Sequence, residues 1–159
     1  MRAVVLKAVT TLVVVFAATV VPGGPAMAAG GVLISGYDGR CLDADISTPT
    51  HDGTKVQAWQ CWGGRNQQWT WYTDGTIRSS WDGRCLDEDI AGGTRNGTKV
   101  QLWACNGWLN QKWVRNADGS ISSRHDGRCL DEDIAGGTRN GTKVQVWDCN
   151  GWLNQKWRR

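Results

Sequence analysis

The stretch GTKVQVWDCNGWLNQKW, residues 141–157, returns almost unchanged at residues 97–113 and, as GTKVQAWQCWGGRNQQW, at residues 53–69. Over the 32 residues that begin at Asp82 and at Asp126, 30 are identical, and the first copy matches the second at 20 of 32 positions. The six cysteines keep the same period of 44 residues in two sets, Cys41, Cys85 and Cys129, and Cys61, Cys105 and Cys149. The repetition predicts three copies of one unit, at about residues 32–75, 76–119 and 120–159.

The amino-terminal residues have the pattern of a secretory signal peptide. Two cations, Arg2 and Lys7, precede an apolar run at residues 8–21, and small residues end at Ala28. A membrane span needs about 18 or more apolar residues, so this run is too short for one. We predict a signal peptide at residues 1–28, no membrane span, and a secreted, extracellular domain at residues 29–159. That domain has 16 cations and 15 anions, so its charge gives no reason to expect a nucleic-acid partner.

The cysteines are predicted to form disulfides. An exported chain can keep them oxidised, and their spacing of about twenty residues, with only His51 and His125 beside them, does not fit zinc. A calcium site at residues 87–89 lacks the spacing of a calcium loop, so we expect no metal and no cofactor. Three equivalent cysteines cannot all pair among themselves, so a symmetric solution joins the two sets. The simplest choice lies within each unit, Cys41 with Cys61, Cys85 with Cys105, and Cys129 with Cys149, each contributing roughly 3 kcal/mol.

Each unit is predicted to consist of strands and turns. A DGR turn precedes a CLD strand, and a DG or NG turn, a strong hairpin signal, precedes a KVQxW strand. No segment has helical apolar spacing over a useful length, so the chain is predicted to be all-β. The third unit stops at Arg159, before the strand that follows the other two. We expect residues 31–35 to supply that strand and to close the ring of units.

The threefold series of CLD, VQxW, cysteine and NQxW at a period of 44 residues resembles the ricin B-type lectin family, also called family 13 carbohydrate-binding modules. The resemblance covers everything after the signal peptide. It implies a β-trefoil, in which twelve strands form three four-stranded units with pseudo-threefold symmetry. It also implies that the chain binds carbohydrate.

The tryptophans of each unit are expected to have different roles. In KVQVW, alternation places Val144 and Val146 on one face of the strand and Trp147 on the other, so that Trp147 faces outward. Trp59 and Trp103 stand at the same place. The tryptophans that end NQxW are expected to meet in the core; they are Trp69, Trp113 and Trp157. The loop tryptophans could form a second wall over a sugar or cap the edge of the barrel, and both interpretations stay open for Trp62, Trp108 and Trp152.

The family resemblance implies one sugar site in each unit, built from the Asp of CLD, the Gln and Trp of VQxW and the Asn of NQxW. The implied carbohydrate-binding residues are Asp43, Gln57, Trp59 and Asn66; Asp87, Gln101, Trp103 and Asn110; and Asp131, Gln145, Trp147 and Asn154. An aromatic face packs on the C–H groups of a pyranose, and a carboxylate can accept hydrogen bonds from two adjacent hydroxyls. Sites two and three are expected to share a sugar preference, whereas site one has different loops.

We therefore predict a non-catalytic, free-standing, secreted lectin, a monomer that binds a polysaccharide or glycan, with galactose- or xylose-type sugars as candidates. The alternatives are a carbohydrate-binding module detached from a glycoside hydrolase and a trefoil that binds a protein. An enzyme is disfavoured because every unit repeats the same carboxylates, whereas catalysis needs one asymmetric pair. Under the sugar hypothesis, an Asp131→Asn change should weaken site three with little loss of fold.

Overall fold

The computed structural model describes residues 30–159, so the predicted signal peptide at residues 1–28 lies outside the described residues. The first unit contains β1 (Ile34–Ser35), β2 (Cys41–Ala44), β3 (Thr54–Trp59) and β4 (Trp69–Trp71). The second contains β5 (Ile77–Ser79), β6 (Cys85–Glu88), β7 (Thr98–Trp103) and β8 (Trp113–Arg115). The third contains β9 (Ile121–Ser123), β10 (Cys129–Glu132), β11 (Thr142–Trp147) and β12 (Trp157–Arg158). A one-turn 3₁₀ helix precedes the last strand of each unit, at Arg65–Gln67, Leu109–Gln111 and Leu153–Gln155.

The strand pairings close the three units into a ring. The long strands β3, β7 and β11 pair antiparallel with one another around the pseudo-threefold axis. The last strand of each unit pairs with the first of the next, β4 with β5 and β8 with β9. The ring closes where β1 pairs with β12, with Ile34 opposite Arg158. The structure thus confirms the predicted all-β trefoil and the closing role of the strand at residues 31–35.

The DG and NG dipeptides lie in turns directly before the KVQxW strands, as predicted, and each turn closes a longer connection between two antiparallel strands. Nine residues, 45–53, separate β2 from β3, and the dipeptide occupies the end of that loop. Gly53 has φ of 94°, a left-handed conformation that glycine adopts without strain. The Thr54 backbone N–H donates to the His51 carbonyl across this turn. The longer loop leaves room for the side chains that line the candidate site.

The core is assembled from equivalent residues of the three units. Trp69, Trp113 and Trp157 are all fully buried, as predicted, and pack with leucine, isoleucine and valine from the surrounding strands. Each indole N–H also donates to the carbonyl of the leucine in the CLD strand; for Trp113 this is Leu86, at 3.0 Å. The buried indoles therefore meet both their packing and their hydrogen-bonding needs inside the barrel.

The three disulfides join cysteines within each unit, as predicted: Cys41 with Cys61, Cys85 with Cys105, and Cys129 with Cys149. In every pair the first cysteine is buried at the start of the CLD strand. The second lies two residues after the end of the KVQxW strand. Each disulfide therefore fixes the start of the loop that leads to NQxW.

Buried glutamates lie at two of the three junctions between units. Glu88 is fully buried and accepts a hydrogen bond from the Ser123 hydroxyl of the next unit at 2.6 Å. Glu132 is also fully buried and accepts from Ser35 at 2.6 Å. At the third junction the residues equivalent to the glutamate and the serine are Ala44 and Ser79, and both are buried. In both glutamates Oε1 has no hydrogen-bond partner among the described residues.

Candidate functional site

The floor of the site in unit two is a buried carboxylate held by three side-chain amides. Asp87 is 3% exposed, and its Oδ1 accepts from Gln101 Nε2 at 3.0 Å. Its Oδ2 accepts from Asn110 Nδ2 and from Gln111 Nε2, both at 2.9 Å. Strand pairing explains the arrangement, because Asp87 lies directly opposite Gln101 in the β6–β7 pair. The 3₁₀ helix brings the other two amides against the same carboxylate.

Units one and three repeat this floor. Asp43 accepts from Gln57, Asn66 and Gln67, with distances of 2.9 to 3.1 Å. Asp131 accepts from Gln145, Asn154 and Gln155, with distances of 2.8 to 3.1 Å. The structure thus brings the Asp, Gln and Asn that the sequence nominated into one cluster in every unit.

The floor carboxylates have fewer lone pairs available to a ligand than the sequence suggested. A carboxylate offers about four lone-pair positions, and three are already used, so one position on Oδ1 is left for a ligand hydroxyl. The expectation that Asp accepts from two adjacent hydroxyls does not fit this count. Burial raises the pKa of Asp87 above its usual range, although the three accepted hydrogen bonds act in the opposite direction. The pKa values of Asp43 and Asp131 are raised for the same reason.

This geometry also changes the expectation for Asp131→Asn. An asparagine amide would place a donor against one of the three donors that now point at the carboxylate. The fold would therefore lose stability together with any ligand. The exposed tryptophans are a cleaner way to test binding than the buried aspartates.

The side-chain amides of the site asparagines donate within the floor. Both N–H groups of Asn110 are used, by Asp87 Oδ2 and by the Glu88 carbonyl. Its Oδ1 has no partner among the described residues, and the same holds for Asn66 and Asn154. These asparagine oxygens are closed off from solvent, so the acceptor that each floor offers to a ligand hydroxyl is the free lone pair of its aspartate.

The sequence analysis missed the glutamine of NQxW as a functional residue. Gln111 is fully buried, and besides Asp87 its Nε2 donates to the Ala104 carbonyl at 3.1 Å. Its Oε1 accepts from the Asn106 backbone N–H at 2.9 Å. Gln67 and Gln155 make the same three contacts in their units. The signal in the sequence is the recurrence of this Gln beside each site Asn; it fixes the loop after the second cysteine to the floor.

A Gln111→Met change is expected to lower the free energy of unfolding by about 2 kcal/mol. Methionine has a similar length but leaves the Asn106 N–H, the Ala104 carbonyl and one Asp87 lone pair without their partner. Chemical denaturation of the variant and the parent measures the difference. Because Lys112, the next residue, is partly exposed, Lys112→Met serves as a control with little expected change. An equal effect of both changes would contradict the role assigned to Gln111.

The walls of each site are aromatic. Trp59, Trp103 and Trp147 are 37%, 38% and 39% exposed, as the strand alternation predicted, and each lines a cavity with the aspartate and asparagine of its unit. The glutamine beside each tryptophan is buried instead, because the loops cover it. The loop tryptophans line the same cavities: Trp62, Trp108 and Trp152. The cavities measure about 230, 440 and 300 Å³ in units one, two and three.

Neighbouring units complete the rim of each site. In unit two the Ala104 N–H donates to Asp52 Oδ1 of unit one at 2.6 Å, and Gly53 lines the cavity. The equivalent turn residues Asn96 and Asn140 bridge to the other two units in the same way. A single unit would therefore lack part of its own site.

The three sites are not identical. Sites two and three share an isoleucine–alanine pair and a loop asparagine, whereas site one has Ser47 and a smaller cavity. Site two alone includes a cation, Lys99, whose Nζ lies 3.3 Å from Asp89 Oδ2. Lys55 and Lys143 instead donate to the carbonyls of Gly141 and Gly97.

Two further features of residues 30–159 bear on function. Their helices include none with the length and apolar character to cross a membrane. Within the same residues no three histidine, cysteine, aspartate or glutamate side chains are grouped so that they could hold a metal ion.

The fold and the site define a β-trefoil with three equivalent cavities, each with a polar floor and aromatic walls. The sequence model of the ricin-type β-trefoil lectin domain family matches residues 29–158, and the chain belongs to this family. The ribosome-inactivating protein PMRIPt of Polygonatum multiflorum is 51% identical over 45 residues, 28% of this chain and 7% of that protein. The chain thus spans less than a tenth of the length of the curated relatives it matches.

Solved structures show the same architecture. The designed threefold symmetric protein ThreeFoil is 29% identical, with a TM-score of 0.70, over 80% of this chain and 94% of its own. A non-toxic homologue of type II ribosome-inactivating proteins from Momordica charantia, in complex with α-methyl-D-galactoside, is also 29% identical. Its TM-score is 0.67, and the match covers 80% of this chain and 46% of that one.

Proposed function

We propose that this protein is a secreted, non-catalytic lectin that binds glycans through three equivalent sites. The observation that carries the proposal is the floor and wall repeated in every unit: a buried carboxylate with one free lone pair lines a cavity together with a half-exposed indole. The carboxylate oxygen matches a hydroxyl donor of a sugar, and the indole matches the apolar C–H face of its ring. The floor also stabilises the trefoil, but the trefoil does not need a half-exposed indole above each floor.

A galactoside is the first candidate ligand. The Momordica charantia homologue was solved with α-methyl-D-galactoside, and its likeness to this chain supports the same sugar class here. A xylose-type polymer is the second candidate, since it also presents adjacent hydroxyls and apolar ring faces. Three sites on one rigid body would raise the affinity for a polymer by roughly 10² to 10⁴ when they engage together.

The non-catalytic part of the proposal rests on the repetition of the carboxylates. Each floor aspartate holds the same three amides in every unit, whereas glycoside hydrolysis uses two carboxyl groups with different roles. Secretion is supported by the pattern of residues 1–28 and by three disulfides, which persist in oxidising compartments. A monomer fits the pairing of β1 with β12, which leaves no open edge between the first and third units.

The test is retention of the purified protein on insoluble xylan and on immobilised galactose, lactose and mannose. The parent is compared with a triple variant, Trp59→Ala/Trp103→Ala/Trp147→Ala, which removes the half-exposed indoles and leaves the floor intact. We expect the parent to be retained on at least one matrix and the triple variant to lose at least tenfold in affinity for it. Near-ultraviolet circular dichroism verifies that the variant is folded.

The matched control is Trp81→Ala, because Trp81 is 46% exposed and belongs to none of the three cavities. The control is expected to bind like the parent. Passage of the parent through every matrix would refute the lectin proposal and favour a trefoil that binds a protein. Equal binding by parent and triple variant would show that these sites are not where the sugar binds.

A further inference from the structure

The loop tryptophans combine high exposure with a rigid backbone. Trp62, Trp108 and Trp152 are 60%, 62% and 63% exposed, more than any other tryptophan among the described residues. The loop that carries Trp108 is nevertheless held in place, because its backbone N–H donates to Asn106 Oδ1 at 3.0 Å. Asn106 in turn donates to Gln111, which holds Asp87. An indole that capped the barrel edge would be buried there, whereas these rings face the cavities.

Unit one reaches the same arrangement by a different sequence. Its loop reads CWGGRNQ, whereas units two and three read CNGWLNQ, so that Gly64 stands where the others have tryptophan. The ring of Trp62 folds back over Gly64: a Cβ on Gly64 would lie only 2.2 Å from Trp62 Cζ2. The indole of unit one therefore fills the space of the side chain at position 64, although it comes from a residue two places earlier.

The three units therefore place an indole at the same wall of the cavity although the tryptophan comes from different positions in the loop. Gly64 leaves room for the ring of Trp62 because it has no side chain. In units two and three the tryptophan itself, Trp108 or Trp152, stands at the position of Gly64. What the three units share is a loop indole that lines the cavity together with the tryptophan of the KVQxW strand. A role in local chain geometry does not account for this, because the two loops differ in sequence.

We propose that the loop indoles form a second ligand-contacting wall that takes the sugar next to the one held by the floor. This inference rests on the proposed lectin function. The floor offers one free aspartate lone pair, enough to orient a single sugar against Trp103. The cavities of units two and three, about 440 and 300 Å³, match pockets that hold drug-sized ligands, which are larger than one pyranose. The ligand is therefore an oligosaccharide or an internal stretch of a polysaccharide.

The walls also bear on the charge of that ligand. Sites one and three are lined by two carboxylates each, Asp43 with Asp45 and Asp131 with Asp133, and by no cation. The one lysine that lines site two lies against Asp89. A glycan whose sugars carry carboxylates would meet like charge at every site, so the second wall serves a neutral oligosaccharide.

The experiment compares short and long ligands on the full protein. The triple variant Trp62→Ala/Trp108→Ala/Trp152→Ala, the parent and the Trp81→Ala control are titrated with galactose and lactose, and with xylose and xylotriose, followed by nuclear magnetic resonance. For the pair that the parent binds, we expect the oligosaccharide to bind the parent more tightly than the monosaccharide. We expect the variant to keep the monosaccharide affinity within about twofold and to lose about tenfold for the oligosaccharide, a loss of about 1.4 kcal/mol.

Three results would overturn the inference. Unchanged oligosaccharide affinity with a lowered melting temperature would make the loop indoles caps of the barrel edge. An equal loss for both ligand lengths would place them on the first sugar instead of the second. Absence of binding by the parent to all four sugars would overturn the inference, and the lectin proposal would fall with it only if the parent is also retained on none of the matrices; the first two results leave the lectin proposal intact.

Discussion

The free energy of unfolding is expected to fall as the pH rises from about 4.5 to about 7, because two buried glutamates keep their protons in the folded protein while the unfolded chain releases them. Burial raises the pKa of Glu88 and of Glu132 from 4.5 to about 7. Asp126 faces Glu88 and raises its pKa further, while the Ser123 hydroxyl and Arg128 act in the opposite direction. Asp38 likewise raises the pKa of Glu132 further, while the Ser35 hydroxyl and Arg40 lower it.

The direction follows from the protons bound in each state. Between pH 4.5 and 7 the folded protein keeps the glutamate protons while the unfolded chain has released them, so the stability is highest at the acidic end of this range. Each pKa unit corresponds to about 1.4 kcal/mol, which gives about 3 kcal/mol for each glutamate across the window. Aspartates such as Asp45, whose pKa is lowered by hydrogen bonds from Ser47, reverse the trend below about pH 4 because protonation breaks those contacts.

The test is denaturant unfolding at several pH values between 4 and 8 for the parent, Glu88→Gln, Glu132→Gln and the double variant. Glutamine keeps the shape and an oxygen for the serine hydroxyl but does not titrate. Each single change should remove a similar share of the decline, and the double variant should keep only the part at the acidic end that comes from the floor aspartates, whose pKa values burial also raises. Ala44 shows that the third junction folds without a carboxyl group, so the variants are expected to fold. A parent-like decline in the double variant would assign the pH dependence to other groups.

Replacement of Trp113 by alanine is expected to lower the free energy of unfolding by about 3–5 kcal/mol. The indole is 1% exposed, so its removal leaves a cavity where the three units meet. It also removes the donor to the Leu86 carbonyl. The neighbouring units cannot collapse into the space without disturbing Trp69 and Trp157, which occupy the equivalent places.

Thermal and denaturant unfolding of Trp113→Ala, Trp113→Phe and Trp81→Ala measures this effect in steps. Phenylalanine refills part of the cavity but cannot donate the hydrogen bond, so its cost should be smaller than that of alanine. Trp81 is 46% exposed, and its change to alanine should cost well below 1 kcal/mol. A Trp113→Ala protein as stable as the Trp81→Ala protein would show that the central indoles are not the main packing elements of the barrel.

The comparison of sequence and structure is clearest for the residues of one strand. Alternation in KVQxW predicted that Trp103 faces outward and that Val100 and Leu102 face the core, and both hold. The same alternation places Gln101 beside Trp103 on the outer face, yet Gln101 is buried. The 3₁₀ helix of its own unit and the turn of the preceding unit cover it, and strand periodicity carries no information about either.

The repeat, the strand content and the buried indoles follow from the order of residues along the chain, and the repeat also made pairing within each unit the simplest arrangement of the disulfides. These properties depend on spacing along the chain, and a period of 44 residues records spacing directly. Only the tertiary structure decided that Gln111 holds the floor of the site and that Glu88 is buried at a junction between units. It also decided that the ring of Trp62 fills the space beside Gly64. These facts depend on which chain segments cover one another after folding, because burial and hydrogen-bond partners are set by contacts between loops and units that are distant in sequence.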